Sequence, residues 1–138
     1  MAYAMGGEKR RINSAAPAEA FTAGQMLALG TDGLLYKANA ALAVAHHYPA
    51  VGLAEVAAVA QDVTDGNLIA FVGECDYVTG ATGLSIGQTC WLGETEGEIT
   101  TTRPTTHLDI AQAVGQALSA TTWAMAVSPT YEQIGITA

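Results

Sequence analysis

Short apolar runs alternate with turn-forming clusters along this chain, and their spacing limits the fold more than any other sequence feature. The clusters are rich in Gly, Asp, Asn and Thr, and the clearest are Gly30–Gly33, Asp62–Asn67, Thr79–Gly83 and Gly93–Gly97. The runs between them are rich in β-branched and aromatic residues, as strands are. Strands that recur about every eight to twelve residues are typical of β-sandwiches and barrels. The sequence therefore predicts a small all-β barrel or sandwich.

Several segments carry this strand pattern. The first two flank Gly30–Gly33, where glycine accepts the positive φ that a hairpin turn requires. Leu68–Val72 is expected to be a buried strand, with Gly73 as a bulge before a continuation over Glu74–Val78. The predicted strands are Gln25–Leu29, Leu34–Ala38, Val51–Ala54, Leu68–Val72, Gln88–Leu92, Glu98–Thr102, Ile110–Leu118 and Thr121–Val127.

Two segments show conflicting signals. Ile110, Val114 and Leu118 recur at helical spacing, but Gly115 and the strand pattern after it favour a strand. Between Ala38 and Gln61 the alanines favour a helix, whereas Pro49 and Gly52 interrupt one. We interpret His46–Pro49 as a loop, leave Glu55–Ala60 open and interpret Asp62–Asn67 as a turn.

The charge of the chain is unevenly distributed. The formal net charge of −8 argues against nucleic acid as a partner. Lys9, Arg10 and Arg11 nevertheless give residues 1–11 a net charge of +2, which leaves −10 for the remainder. A basic tip on an acidic body could dock an acidic surface, or it could be a solvated, mobile terminus.

These patterns predict three regions: an N-terminal arm over residues 1–17, a β domain over 18–128 and a C-terminal tail over 129–138. No run approaches the roughly 20 apolar residues that span a bilayer. No apolar stretch follows the N-terminal charges, so no secretory signal is expected. The sequence thus indicates no membrane partner.

The cysteines and histidines carry little functional signal. Cys75 and Cys90 lie in predicted strands, where a disulfide is geometrically conceivable but two buried thiols are expected in a cytosolic protein. His46, His47 and His107 are expected in loops or at the surface. Adjacent residues on a strand face opposite ways, so the first two would not grip one metal there.

Glu94, Glu96 and Glu98 alternate, so on an extended chain they would share one face. That face could hold calcium or the basic arm of a neighbour, or it could be a solvated acidic turn.

There is no G-x-S-x-G nucleophile elbow and no phosphate-binding glycine motif. The sequence predicts no enzyme activity, no cofactor and no metal.

The large aromatic side chains are expected either in the core or at a subunit interface. They are Phe71, Trp91 and Trp123, together with Tyr36 and Tyr77. Burial in a core and burial at an interface remove the same kind of apolar surface from water. The sequence does not separate these two roles.

Five stretches stand out when they are taken in order along the chain. They are Ala28–Lys37, Pro49–Glu55, Gly83–Gly93, Gly97–Thr105 and Val114–Thr122. Together they resemble the capsid decoration (cement) and head-fibre proteins of tailed phages. In that family a strand of the form G-L-x-x-G-x-x-x-[YW]-L leads to G-x-[IL]-T-T-T-x-P and then to V-G-x-A-L-S-x-T. The chain departs from the pattern in its two cysteines and in the alanine-rich stretch over Ala38–Ala45.

The resemblance implies a structural protein of the virion that binds the major capsid protein on the outer capsid surface. It also implies a homotrimer, made in the host cytoplasm, whose arms contact the capsid or neighbouring subunits. Lys9, Arg10 and Arg11 are the candidate capsid-binding residues. An alternative is a tail-fibre or baseplate receptor-binding module, and a third is a small enzyme or metal-dependent binding protein.

Overall fold

The computed structural model describes residues 4–41, 47–128 and 130–135, and within them all side chains except those of residues 11–13. The described chain is mostly antiparallel strand, with one short helix. The elements are β1 (Ala4–Ala15), β2 (Met26–Leu29), β3 (Leu35–Lys37), β4 (Ala50–Ala54), α1 (Ala60–Asp65), β5 (Ile69–Thr79), β6 (Thr89–Leu92), β7 (Ile99–Thr100), β8 (Ile110–Ala111), β9 (Ala113–Ala117), β10 (Thr122–Ala126) and β11 (Glu132–Gln133).

Strand β5 organises the main sheet. The sheet runs in the order β3-β2-β4-β5-β10-β9-β6-β7, and β1 pairs with β5 outside this path. One end of β5 pairs with β4, where Leu53 lies opposite Val72. The other end pairs with β10, where Thr122 lies opposite Thr79. The sheet therefore divides into two branches, β4-β2-β3 and β10-β9-β6-β7. Both branches pair with the edge of β5 that β1 does not occupy.

The two branches curl toward each other and are joined by backbone hydrogen bonds. Gly97 donates its N–H to the carbonyl of Ala38 at 2.7 Å, and Ala40 donates to Gly93 at 2.8 Å. Ile110 in turn donates to Ala40 at 2.7 Å. The result is a curled antiparallel sheet with the form of a half-barrel.

Two apolar clusters lie on the two sides of this sheet. The larger one contains side chains from both branches, including Met26, Val72, Val114 and Trp123. The smaller one gathers Phe71 with residues from the β2, β3 and β4 region. Alternate strand residues point to opposite faces, so β5 supplies Phe71 to one cluster and Val72 to the other.

Several sequence predictions are confirmed. Strands β2 and β3 form the expected hairpin, with Leu29 opposite Leu35 and Gly33 at a φ of 82°. The 110–118 segment is extended, as β8 and β9, rather than helical. Gly73 is the extra β5 residue between Val72, opposite Arg11, and Glu74, opposite Arg10, as expected for a bulge.

The interpretation of Asp62–Asn67 as a turn was wrong for its first four residues. Residues 60–65 form α1, and Gly66 ends the helix in the left-handed region at a φ of 70°. The Asp62 carboxylate accepts the Val59 N–H at 2.8 Å and the Asn67 side-chain amide at 3.1 Å. These bonds lower the pKa of Asp62, with the Val59 contact as the main cause. These local capping bonds therefore stabilise a short helix at the start of the predicted turn.

Candidate functional site

The three candidate binding residues lie on β1. Strand β1 is antiparallel to β5 over its full length, from Ala4 opposite Thr79 to Ala15 opposite Ile69. Much of the region predicted as an N-terminal arm is thus paired with the body as a strand. Lys9 and Arg10 are exposed, and the Arg11 side chain lies outside the described residues.

The described basic side chains of β1 face acidic groups of the same chain. The Lys9 ammonium lies 3.9 Å from a Glu55 oxygen, and the Arg10 guanidinium lies 3.9 Å from a Glu74 oxygen. The side chains of Arg10 and Glu74 are 73% and 62% exposed. Ion pairs at such exposed sites contribute about 0–1 kcal/mol. These contacts orient β1 on the body but hold it only weakly.

Glycines shape the first half of β1. Gly6 lies beneath the Tyr77 ring, where any Cβ would overlap the ring atoms. Gly7 adopts a φ of 72°, and the Glu8 N–H beside it donates to the Asp76 carboxylate at 2.9 Å. The strand register shifts between Gly6 and Lys9. The glycine pair therefore lets β1 follow β5 through an irregularity.

A charged cluster joins β3 to two loops. The Lys37 ammonium lies 3.2 Å from a Glu96 oxygen and 3.6 Å from a Glu19 oxygen. Glu19 also accepts the Lys37 backbone N–H at 3.1 Å. The Glu96 contact is the main cause that raises the pKa of Lys37. This cluster links the segment after β1, the β3 strand and the 93–97 turn.

The three alternating glutamates are exposed, and they confirm the interpretation as a solvated acidic turn rather than as one face of an extended segment. They lie around a turn, because the Gly93 N–H donates to Glu98 at 2.9 Å. Glu94 hydrogen bonds with Asp109, which raises the pKa of Glu94, while Glu96 contacts Lys37. A turn points successive side chains in different directions, so Glu94 and Glu96 have separate partners.

The aromatic residues occupy different environments. Phe71 and Trp123 are buried, each 2% exposed. Trp91 is half-buried, and the Arg103 guanidinium lies 5.5 Å from its ring centroid. Arg103 also pairs with Glu132 of β11 at 3.3 Å. Arg103 also lines a groove of about 380 Å³ that has several threonines in its lining.

The two described histidines agree with the expectation of loop or surface positions, although one of them is buried. His107 is exposed, but His47 is only 7% exposed, and its Nδ1 has no hydrogen-bond partner among the described residues. Its ring packs against Tyr36 with centroids 5.4 Å apart, which explains its burial. His46 lies outside the described residues. Burial of His47 follows from contacts distant in sequence, which its loop position does not indicate.

Both cysteines are buried free thiols, as expected. The Cys75 sulfur lies 3.2 Å from the Gly6 carbonyl of β1 and 3.1 Å from the Tyr77 carbonyl. Burial raises the pKa of Cys90 to about 11. Cys75 is thus the thiol that β1 touches, whereas Cys90 lies in β6 within the larger cluster.

The described part of the chain contains neither a metal-ligand cluster nor a membrane-spanning helix. Within it, no three His, Cys, Asp or Glu side chains converge as metal ligands would. Among the same residues, no helix has the length and apolar character to cross a membrane.

Comparisons with known proteins return no match. No protein-family model fits the chain, and no curated protein or solved structure is significantly similar to it. The function is therefore inferred from the residues of the chain itself.

Proposed function

We propose that this protein is a non-enzymatic capsid decoration protein that binds the outer surface of a tailed-phage head and stabilises it. The observation that carries the proposal is the ordered series of five stretches that resemble that family. A β-rich fold without a metal cluster in its described residues is compatible with this role.

The positions of these stretches in the fold support reading them as one pattern. Ala28–Lys37 coincides with the β2–β3 hairpin, and Pro49–Glu55 contains β4. Gly83–Gly93 contains β6, and Gly97–Thr105 contains β7. Val114–Thr122 spans most of β9 and reaches β10. The stretches therefore belong to one sheet rather than to unrelated surface loops.

The physical basis of such a role is lattice binding. A protein that binds an assembled capsid more tightly than its free subunits shifts the equilibrium toward the assembled head. A homotrimer would multiply modest contacts through avidity. Lys9, Arg10 and Arg11 are the proposed contact residues. The exposed Arg10–Glu74 pair, at 3.9 Å, is weak enough for Arg10 to exchange Glu74 for a capsid carboxylate.

The test is co-sedimentation of the purified protein with expanded empty capsids at physiological salt. We expect saturable binding at a fixed ratio to capsid protein. Absence of saturable binding would refute the proposal. Immunogold labelling of virions separates the alternative, since label confined to the tail would indicate a fibre or baseplate module.

A truncation tests the role of the basic residues. Removing residues 1–14 should weaken capsid binding, because it removes all three β1 bases, while circular dichroism should still report a folded β protein. Removing residues 130–138 provides a matched control, because that segment carries no basic residue. Equal capsid affinity of the two truncated proteins would show that the β1 bases are not contact residues.

A further inference from the structure

We infer that β1 is a releasable strap, which undocks from β5 as a unit while the rest of the sheet stays folded. The inference concerns the free protein and does not depend on the proposed function. It follows from how β1 is attached, how its neighbours are anchored and what it covers.

The attachment of β1 is shallow. None of its described side chains is buried, and only Met5 and Ala15 pack at the margins of the two apolar clusters. Other strands supply the buried core, as β2 does with Met26 and Leu27 at 0% exposure. Among the described residues of β1, backbone hydrogen bonds to β5 therefore dominate the attachment, and undocking of these residues would expose little of their own apolar surface.

The pairing of β1 with β5 is also irregular. The register shifts between Gly6 and Lys9, between Arg10 and Arg11, and between Arg11 and Asn13. Each shift leaves the ladder locally disrupted. The ion pairs of Lys9 and Arg10 along this stretch are both 3.9 Å long. These contacts add little to the backbone ladder.

The neighbours of β1 are anchored independently of it. Immediately after the strand, Ala16 accepts the Leu35 N–H and Ala18 donates to the Leu35 carbonyl, both at 2.8 Å. The opposite edge of β5 is occupied by β4 and β10. A hinge at Ala16 would thus release twelve residues, about 40 Å of extended chain. Release would also open the β5 edge to another strand.

The reactivity of the Cys75 thiol can report the release of β1. Its thiol is 3% exposed and touches the Gly6 carbonyl of β1, whereas Cys90 is fully buried in β6. Local release of β1 should expose Cys75 and leave Cys90 protected. Global unfolding should expose both thiols together.

The experiment measures alkylation of each thiol by iodoacetamide with mass spectrometry, in Cys90→Ala and Cys75→Ala variants. We expect Cys75 to react at least about 100-fold faster than Cys90, with little dependence on dilute urea, as local opening requires. Equal rates with the same steep urea dependence would overturn the inference.

Two further comparisons isolate β1. A disulfide between Ala4→Cys and Thr79→Cys, which lie opposite each other at the free end of the strand, should slow Cys75 alkylation. Gly7→Ala should accelerate it, because Gly7 has a φ of 72° and its Cβ would overlap Asp76. Gly33→Ala is the matched control, because Gly33 has a φ of 82° and open space around it in the β2–β3 turn.

Hydrogen exchange of the unmodified protein keeps the test independent of variant folding. Backbone amides of Ala4–Ala15 should exchange faster than those of β9 and β10. Two results would show that β1 does not undock separately. One is an alkylation rate of Cys75 that the disulfide leaves unchanged. The other is equal exchange protection of the β1 and β9 amides.

Discussion

Replacement of Gln112 should show how much buried side-chain hydrogen bonds contribute to the stability of the core. Gln112 lies between β8 and β9 with 0% exposure. Its side-chain oxygen accepts the Ala50 N–H at 2.7 Å, and its amide donates to the Ala50 carbonyl at 2.9 Å. The amide also donates to the Ser128 carbonyl at 2.7 Å. The side chain therefore acts as a short strand partner for the start of β4.

The expected cost of Gln112→Leu follows from the groups left behind. Leucine fills a similar volume, but the N–H and C=O of Ala50, a residue only 2% exposed, lose their partners. A buried polar group without a partner costs about 1–3 kcal/mol, so two such groups cost roughly 4 kcal/mol. Ser128 is half-buried, so its carbonyl can turn to water and adds little.

Urea denaturation measures this cost directly. With a slope of about 2 kcal/mol per molar urea, the midpoint should fall by roughly 2 M. Gln116→Leu is the matched control, because Gln116 is exposed and makes one long bond of 3.3 Å to Gly87. A Gln112→Leu midpoint within about 0.5 M of that control would refute the reasoning, since it would mean that Ala50 finds other partners.

Three further outcomes are expected. Lys37→Met should lower the free energy of unfolding by about 1 kcal/mol in urea titrations, because Glu19 and Glu96 lose their shared partner; an unchanged midpoint would contradict this. Gly115→Ala should cost about 2 kcal/mol or more in thermal unfolding, because its Cβ would overlap the Ala124 carbonyl across the β9–β10 pair; an unchanged melting temperature would argue against that close approach. The raised pKa of Glu94 means that its bond to Asp109 stabilises the fold at acidic pH, and that this contribution is lost as pH rises through the raised value. The stability difference between wild type and Glu94→Gln, from urea midpoints between pH 4 and 7, should therefore shift against wild type with rising pH, and a constant difference would contradict it.

Much of the strand pattern could be predicted from local chemistry. The hairpin around Gly33 depends on a positive φ that glycine adopts without steric cost, so it is visible in sequence. The 110–118 segment shows how neighbouring signals settle an ambiguity, since its helical spacing was outweighed by Gly115. That glycine proves to lie against the Ala124 backbone, a contact that only strand pairing creates.

The candidate site was predicted less completely. The bases Lys9 and Arg10 were identified from their charge, but their partners Glu55 and Glu74 are distant in sequence. The turn over Gly93–Gly97 was predicted, but the contacts of Glu94 with Asp109 and of Glu96 with Lys37 were not. Charge composition is a property of the sequence, whereas the pairing of charges depends on how the chain returns on itself.

By itself, the sequence determined the β-rich character of the chain, its turns and its uneven charge, because these depend on φ preferences and side-chain types within a few residues. Only the tertiary structure decided that Gln112 is buried and that residues 4–15 lie along β5 as a strand. Each of these outcomes depends on hydrogen bonds or packing that the folded backbone brings within reach. The basic N-terminal segment is therefore predictable as a feature of charge, but its docking on β5 is a property of the fold.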